Sequence, residues 1–283
     1  MQGLPGSGKS TKAKELLTVG NTVRINKDLI RTMLHFDKFT GSNEAKTQLA
    51  AYTLAENFLL NNTSVIIDDT NLNPKVVESW KELAKKHDVK IAYQIMDTSI
   101  EECIARDELR DKHVGAHVIY KMALQYQEYL KYQNVIICDL DGTLCDIKHR
   151  LHFVKGEGKK DWKGFFEGIA GDSPRDDVIA KIDIELLRNE DCKVIFVSAR
   201  PEAYRKETEK WMREHTPYGA ENLILIMRQN GDSRVDTEVK SDIYDKYLKN
   251  TNIVKIFDDR PSVIRMWKEK GLPVEDVGSG VEF

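Results

Sequence analysis

A repeating rhythm constrains this chain most: short β-rich apolar runs, each ending in a polar or acidic residue and each handed over to a longer helical pattern. TVRIN (22–26), SVIID (64–68) and KIAYQIM (90–96) alternate with helical spacing at 43–61, 75–87, 99–110 and 116–132. Such alternation marks βαβ units, whose parallel strands need helices on both faces. The rhythm restarts at QNVIIC (133–138) and runs on through CKVIFVS (192–198), NLILIM (222–227) and IVKIFD (253–258). At 283 residues the chain has room for two domains with cores of their own. The expected fold class is therefore α/β, two three-layer domains with mainly parallel sheets, divided as 1–132 and 133–283. No glycine/serine linker intervenes, so the helix ending near Tyr132 is expected to pass directly into the second sheet and couple the two closely.

Charge and cysteine usage exclude several classes. The formal charge is −3, and residues 1–133 carry 18 Lys/Arg against 17 Asp/Glu while the remainder carries 25 against 29. Neither part has the basic stripe of a protein that tracks along duplex DNA, so any nucleic acid must be held locally. Four cysteines, Cys103, Cys138, Cys145 and Cys192, show no C-x-x-C spacing, which argues against a zinc knuckle or a disulfide framework and for a reducing, cytoplasmic setting. No apolar run approaches membrane-spanning length, so no membrane partner is expected.

The first chemical constellation is GLPGSGKS at residues 3–10, which satisfies G-x-x-x-x-G-K-[ST]. Gly3, Gly6 and Gly8 let backbone N–H groups turn inward around phosphate oxygens. Lys9 supplies charge to the β/γ-phosphates, Ser10 offers a hydroxyl to Mg²⁺ at a helix N-terminus, and Thr11 continues the cradle. In RINKDLIR (24–31), Asp28 follows a strand at its ligand-bearing end and reads equally as a base for an attacking hydroxyl or as the cap of a helix beginning at Leu29. Arg31, three residues on, suits a bidentate grip on a substrate phosphate. VIIDDTNLNP (65–74) ends a strand in Asp68 and Asp69, either of which can serve nucleotide and metal, with a simple Asp-Thr-Asn turn as the competing reading. Arg106 and Arg110, four apart before Gly115, fit either a solvated surface pair or a lid over the ATP phosphates.

The second constellation is VIICDLDGTLCD (135–146), in which Asp139 and Asp141 leave a buried strand on the same side. Asp139 there can attack phosphorus while Asp141 handles the leaving-group proton. Ser198 and Arg200 in VSAR, Lys240 in TEVK, and Asp258 with Asp259 in KIFDDR likewise fall where β-runs stop. Any one acid pair reads as a solvated turn; four such sets in order read as catalytic. Mg²⁺ held by Asp139, Asp141, Asp258 and Asp259 would offset repulsion between carboxylate and phosphate ester, and Ser198 and Lys240 would bind phosphoryl oxygens.

These motifs carry a resemblance. DLDGTL, Ser198, Lys240 and Asp258/Asp259 resemble, in order, the four motifs of haloacid-dehalogenase-superfamily phosphatases, a HAD-like (Rossmann-like) domain; the first part resembles a P-loop kinase. Their combination, with DTNLNP, IN-basic-D…R, GDSRVD and DDR followed by Met-Trp, is similar over nearly the whole chain to the phage-type polynucleotide 5′-kinase/3′-phosphatase family of RNA and DNA end-healing enzymes. The resemblance implies Asp28 as general base, Arg31 on the substrate phosphate, Arg106 and Arg110 on ATP, and Asp69 as an organiser of the site. It adds Arg150, Arg228 and Asp236 on the phosphatase side, and it implies polynucleotide ends as substrate and a homo-oligomer. Two other readings remain open: a small-molecule kinase/phosphatase, and an active phosphatase carrying a non-catalytic phosphate-loop module.

Other features read as structure. His149 with His152 and His113 with His117 lack a third metal ligand nearby, Cys138 and Cys145 have apolar neighbours, and Tyr120, Tyr126, Tyr129 and Tyr132 fall on a helix as core or interface. A phosphate loop ordinarily follows a buried strand, yet Met1 and Gln2 alone precede Gly3. The opening is expected to be an abbreviated start, to which several added apolar residues restore activity or stability.

Overall fold

The computed structural model describes residues 1–17, 20–126, 134–155, 160–189, 191–218 and 223–279. It falls into two compact units, Met1–Tyr126 and Gln127–Phe283, both α/β. Among the described residues no helix is long and apolar enough to cross a membrane.

In the first unit, α1 (Lys9–Leu16) leaves the glycine loop, and β1 (Thr22–Ile25), α2 (Lys27–His35), α3 (Gly41–Leu60), β2 (Ser64–Ile67), α4 (Pro74–Lys86), α5 (Ile100–Glu108) and α6 (Ala116–Tyr126) follow. Helix starts obey local chemistry: Asn26, Thr40, Asn73 and Ser99 each accept a backbone N–H from the first turn they precede. Strands β1 and β2 pair in parallel from Thr22↔Ser64 to Ile25↔Ile67, so the residues that follow them emerge side by side. Ile25, Ile30, Ala51, Ala55, Trp80 and Leu83 close the core beneath this edge.

One expected strand differs. The run 90–96 makes a lone parallel bridge, Gln2 with Ile95, through Gln2 N–H to Gln94 C=O (2.8 Å) and Met96 N–H to Gln2 C=O (2.8 Å). Among the described residues this single bridge does not extend into a ladder, and Ile91, Tyr93 and Ile95 stay exposed. The expected helix 116–132 is seen as far as Tyr126; Tyr129, Tyr132 and the expected passage at 132–133 lie outside the described residues. Tyr120 is buried in the core.

The second unit is built on a five-stranded parallel sheet in the order β7-β6-β3-β8-β9, with β3 (Asn134–Cys138) at its centre, flanked by β6 (Lys193–Pro201) and β8 (Asn252–Asp258), and with β7 (Ile224–Arg228) and β9 (Val274–Asp276) outermost. A short antiparallel pair, β4 (Cys145–Asp146) and β5 (Ser173–Pro174), brackets a 3₁₀ turn at 148–153 and α7 (Trp162–Glu167). Helices α8 (Asp176–Arg188), α9 (Arg205–His215), α10 (Asp236–Ile243) and α11 (Pro261–Glu269) complete the layers. Central strands buried on both faces read as unbroken apolar runs, and β3 does so with Val135, Ile136, Ile137 and Cys138. Trp211, Met212, Phe196, Leu225 and Phe257 pack the core around them.

Candidate functional sites

Each site grows from strand ends. In the first unit, Gly6 adopts φ 79°, and a Cβ there would lie 2.1 Å from the Cys103 carbonyl oxygen, so the loop is pressed against α5 in a way only glycine permits. Lys9 is buried and donates to Leu4 C=O at 2.6 Å; burial lowers its pKa from the ordinary lysine value. Ser10 and Thr11 are exposed on the first turn of α1. Arg106 Nη1 lies 3.5 Å from where a Gly8 Cβ would be, which puts it beside the loop, and it pairs with Glu102. Arg110 lies two residues beyond the end of α5 rather than on one helical face with Arg106, and donates to Asp107 Oδ1 at 3.0 Å.

Asp28 does not cap α2. Asn26 does, accepting from Leu29 N–H at 3.0 Å, which leaves the Asp28 carboxylate exposed in the first turn, 2.6 Å from Arg31 Nη1. Arg31 also clasps Glu44 through two nitrogens; hydrogen bonding to Glu44, then to Asp28, raises its pKa above the usual arginine value. Beside them, Asp69 is half-buried and accepts Lys27 N–H at 3.0 Å; its Oδ2 is shielded, has no hydrogen-bond partner and lies 3.7 Å from Lys27 Nζ. Burial pushes its pKa up. Asp68 is taken up by Arg24, with Nε at 2.7 Å and Nη2 at 2.5 Å. A shielded carboxylate oxygen with no hydrogen bond, near an exposed acid at a helix start, offers oxygen ligands of the kind a divalent cation takes, with Lys27 as its present ion-pair partner.

In the second unit, Asp139 follows β3, and Asp258 and Asp259 close and follow the neighbouring β8. One oxygen of each carboxylate lies within 4.8 Å of the others, all three residues buried. Lys240, on α10, reaches Asp139 Oδ1 at 3.0 Å and Asp258 Oδ2 at 2.8 Å. Thr143 Oγ1 donates to Asp259 Oδ1 at 2.9 Å, and Trp267 Nε1 donates to Asp258 Oδ2 at 3.3 Å. Gly142 (φ 84°) is what lets the chain pass, since a Cβ there would fall 2.1 Å from Asp259 Oδ2. Burial raises the pKa of Asp139 well above the carboxylate norm, with Lys240 pulling it back. Burial, then the neighbouring Asp258, pushes Asp259 up to about 6. Burial alone would lower the Lys240 pKa, but Asp139 and Asp258 outweigh it and raise it. Three buried carboxylates facing one ammonium form an electron-rich pocket with the oxygen donors a hard divalent cation takes.

Asp141, two residues from Asp139, belongs to a different cluster. Its carboxylate receives Arg200 Nη2 at 2.6 Å and a short contact from Arg150 Nη2, and both arginines are fully buried. Burial pushes its pKa up, but Arg200 and Arg150 outweigh this and hold it well below the usual range. The sequence grouped Asp141 with the metal ligands; its side chain instead gathers with Cys145 and Asp172, occupied by guanidinium groups. Asp172, which nothing in the local sequence singles out, shares both arginines: Arg150 Nε at 2.6 Å, Arg150 Nη2 at 2.6 Å and Arg200 Nη2 at 2.9 Å. A shift of register between Ser198 and Pro201 along β6 accompanies the inward turn of Arg200. Ser198 is buried beside it, its Oγ accepting Arg200 N–H at 3.2 Å.

Arg228 bonds Ala199 C=O at 2.7 Å and Asp236 Oδ1 at 2.6 Å, and Arg260 closes on the other oxygen of Asp236. Arg260 directly follows Asp258 and Asp259, which was the available signal for it; Glu44 and Asp172 had none. Among the described residues no candidate metal group contains a histidine, and the Cys138 and Cys145 thiols are buried with raised pKa values, burial the leading cause.

Comparison with known proteins follows the same division. Residues 133–281 match the family described as the polynucleotide kinase PNKP phosphatase domain, and residues 1–129 match the AAA domain. A curated relative, "Putative bifunctional polynucleotide kinase/RNA ligase" of Autographa californica nuclear polyhedrosis virus, is 29% identical over an alignment of 301 positions, covering 96% of this chain and 41% of the relative. The chain thus spans less than half the length of that relative. Among solved structures, a chain of the Pnkp1/Rnl/Hen1 RNA repair complex is 26% identical, with 99% of this chain and 95% of that one covered and a TM-score of 0.42. The class C acid phosphatase from Bacillus anthracis with tungstate bound is 12% identical, covering 64% and 86%, with a TM-score of 0.33.

Proposed function

The chain belongs to the family of the polynucleotide kinase PNKP phosphatase domain, and from that premise we propose that it heals broken nucleic-acid ends. Its second unit removes a 3′-phosphate and its first unit phosphorylates a 5′-hydroxyl with ATP, the division falling at residues 132 and 133. The observation that carries this reading is the buried meeting of Asp139, Asp258, Asp259 and Lys240 at adjoining strand ends.

In the phosphatase, Asp139 attacks phosphorus to give an aspartyl phosphate while Asp141 passes a proton from the incoming phosphomonoester to the departing 3′-oxygen; water then cleaves the aspartyl phosphate, giving its proton to Asp141 and releasing inorganic phosphate. Arg150 and Arg200 orient Asp141. Ser198 Oγ and Lys240 Nζ hold phosphoryl oxygens, and Arg228 with Asp236 lines the approach. Asp139, Asp258 and Asp259 would hold Mg²⁺, which would supply neutralising charge for carboxylate and phosphate. In the kinase, Asp28 accepts the proton of the 5′-hydroxyl and Arg31 holds the adjoining phosphate. Gly3 to Thr11 cradle ATP with Arg106 and Arg110 closing over it, and Ser10 and Asp69 would hold a divalent cation, which would offset the phosphate charge. The resemblance also supports a homo-oligomer, which light scattering checks.

Incubation with γ-radiolabelled ATP and a 5′-hydroxyl oligonucleotide, alongside a 3′-phosphorylated one, tests the proposal. Label transfer and phosphate release are expected. Turnover of small alcohols and sugar phosphates with neither oligonucleotide altered moves the substrate to small molecules.

A further inference from the structure

The phosphatase unit carries an aromatic path that the reaction does not use. Phe165 lies against Arg150, the guanidinium 4.2 Å from the ring centroid, and Arg150 in turn holds Asp141. From Phe165 the contacts run outward along α7: Phe165 to Phe166 edge-on at 5.3 Å, Phe165 to Trp162 edge-on at 5.9 Å, and Trp162 stacked on Phe166 at 6.1 Å with planes 23° apart. Tyr204, just past the strand that delivers Ser198 and Arg200, joins from the other side at 5.1 Å from Phe166. The path ends at the surface. Trp162 is 44% exposed, and Lys160 Nζ lies over its ring, 5.4 Å from the centroid.

An exposed tryptophan is costly to keep in water, and the other three tryptophans, Trp80, Trp211 and Trp267, are all buried. Here it is stacked on Phe166, carries the Lys160 ammonium over its ring, where an incoming base would draw that cation aside onto its own phosphodiester, and is linked through Phe165 to the arginine that orients Asp141. A rigid aromatic face beside a lysine is the chemistry that binds unpaired nucleobases on a phosphodiester chain, because every base has a π-face and every linkage a negative charge.

We propose that Trp162 and Lys160 form a stacking platform for an unpaired base of the strand whose 3′-phosphate enters the Asp139 site. This rests on the proposed polynucleotide phosphatase activity and deepens it, since it makes a single-stranded 3′ end the favoured substrate. Tyr204 and Phe166 act as positioning residues that hold the platform in register with Arg200 and Arg150.

The test compares a 3′-phosphorylated oligothymidylate with glycerol 2-phosphate, an ester that has no base. The ratio of their kcat/KM values is expected to fall about tenfold in Trp162→Ala, mainly through the oligonucleotide KM, and to recover in Trp162→Phe. Oligothymidylate is expected to quench the tryptophan emission of the wild-type protein and to lose that quench in Trp162→Phe. A ratio that Trp162→Ala leaves unmoved overturns the platform. So does a loss on both substrates alike, which makes Trp162 part of the fold, or a change in self-association at constant ratio, which assigns the face to a second copy. Wild-type protein that hydrolyses glycerol 2-phosphate but not the oligonucleotide overturns the proposed activity and the platform with it.

Discussion

Asp259 and its surroundings give a prediction with a definite sign. Asp139, Asp258 and Asp259 crowd one buried pocket against the ammonium of Lys240, and Asp259 is pushed from an ordinary value of 3.8 to about 6. Its folded-state pKa exceeds its unfolded one, so the metal-free folded protein binds more protons than the unfolded chain between those values. Stability therefore falls as pH rises from about 4 to about 6 and stays reduced above. About two pH units at ~1.4 kcal/mol each place that loss on the order of 3 kcal/mol. Asp259→Asn removes the charge yet keeps an oxygen to accept Thr143 Oγ1. The variant is expected to be about 1–3 kcal/mol more stable than wild type at pH 7.5 in EDTA, and to converge on it near pH 4. Urea unfolding followed by the emission of buried Trp211 and Trp267 reads this out. Adding Mg²⁺ should reverse the order, because a ligand at 100 times its Kd stabilises wild type by about 2.7 kcal/mol and the variant has lost one oxygen charge. A variant less stable than wild type in EDTA at pH 7.5, or one that gains as much from Mg²⁺, would refute the electrostatic account of this pocket.

Three further outcomes are expected. Asp172→Ala should destabilise the second unit by about 3–5 kcal/mol, because Arg150 and Arg200 stay fully buried with only Asp141 to neutralise them; a urea midpoint within error of wild type contradicts this. Gly6→Ala sets a methyl group 2.1 Å from the Cys103 carbonyl oxygen at a φ of 79°, so ATP binding by calorimetry should vanish while the second unit keeps its own unfolding transition. Lys9→Ala should cut 5′ labelling of an oligonucleotide by ~100-fold or more, and undiminished labelling would make the phosphate loop a non-catalytic module.

The two constellations were legible because chemistry in open α/β sheets gathers at the carboxyl ends of strands, and apolar runs announce those ends. Asp139 and Asp258 could be picked out that way; Lys240, expected where a β-run stops, stands instead on α10, well past the end of β7, and still meets both. The run 90–96 misled because β-propensity marks a segment fit for a sheet, whereas a strand exists only where a neighbour supplies a ladder, and among the described residues the run has a single isolated bridge, to Gln2. Asp28 left base and cap equally open until Asn26 took the cap. Arg31, proposed for a substrate phosphate, is also bonded by Glu44, thirteen residues away, a partnership with no local pattern.

By itself, the sequence determined where each unit keeps its reactive groups, because periodicity and strand-end position are local properties carried by a few adjacent residues. Tertiary structure decided what those groups are. Asp139 and Asp141 stand two residues apart, yet one faces two carboxylates and a lysine with its pKa raised, and the other faces two arginines with its pKa held down. The difference comes from Asp172, Arg150, Arg200, Lys240, Asp258 and Asp259, up to 120 residues away in the chain. Burial and Coulomb interaction depend on distance in space, and folding alone sets those distances.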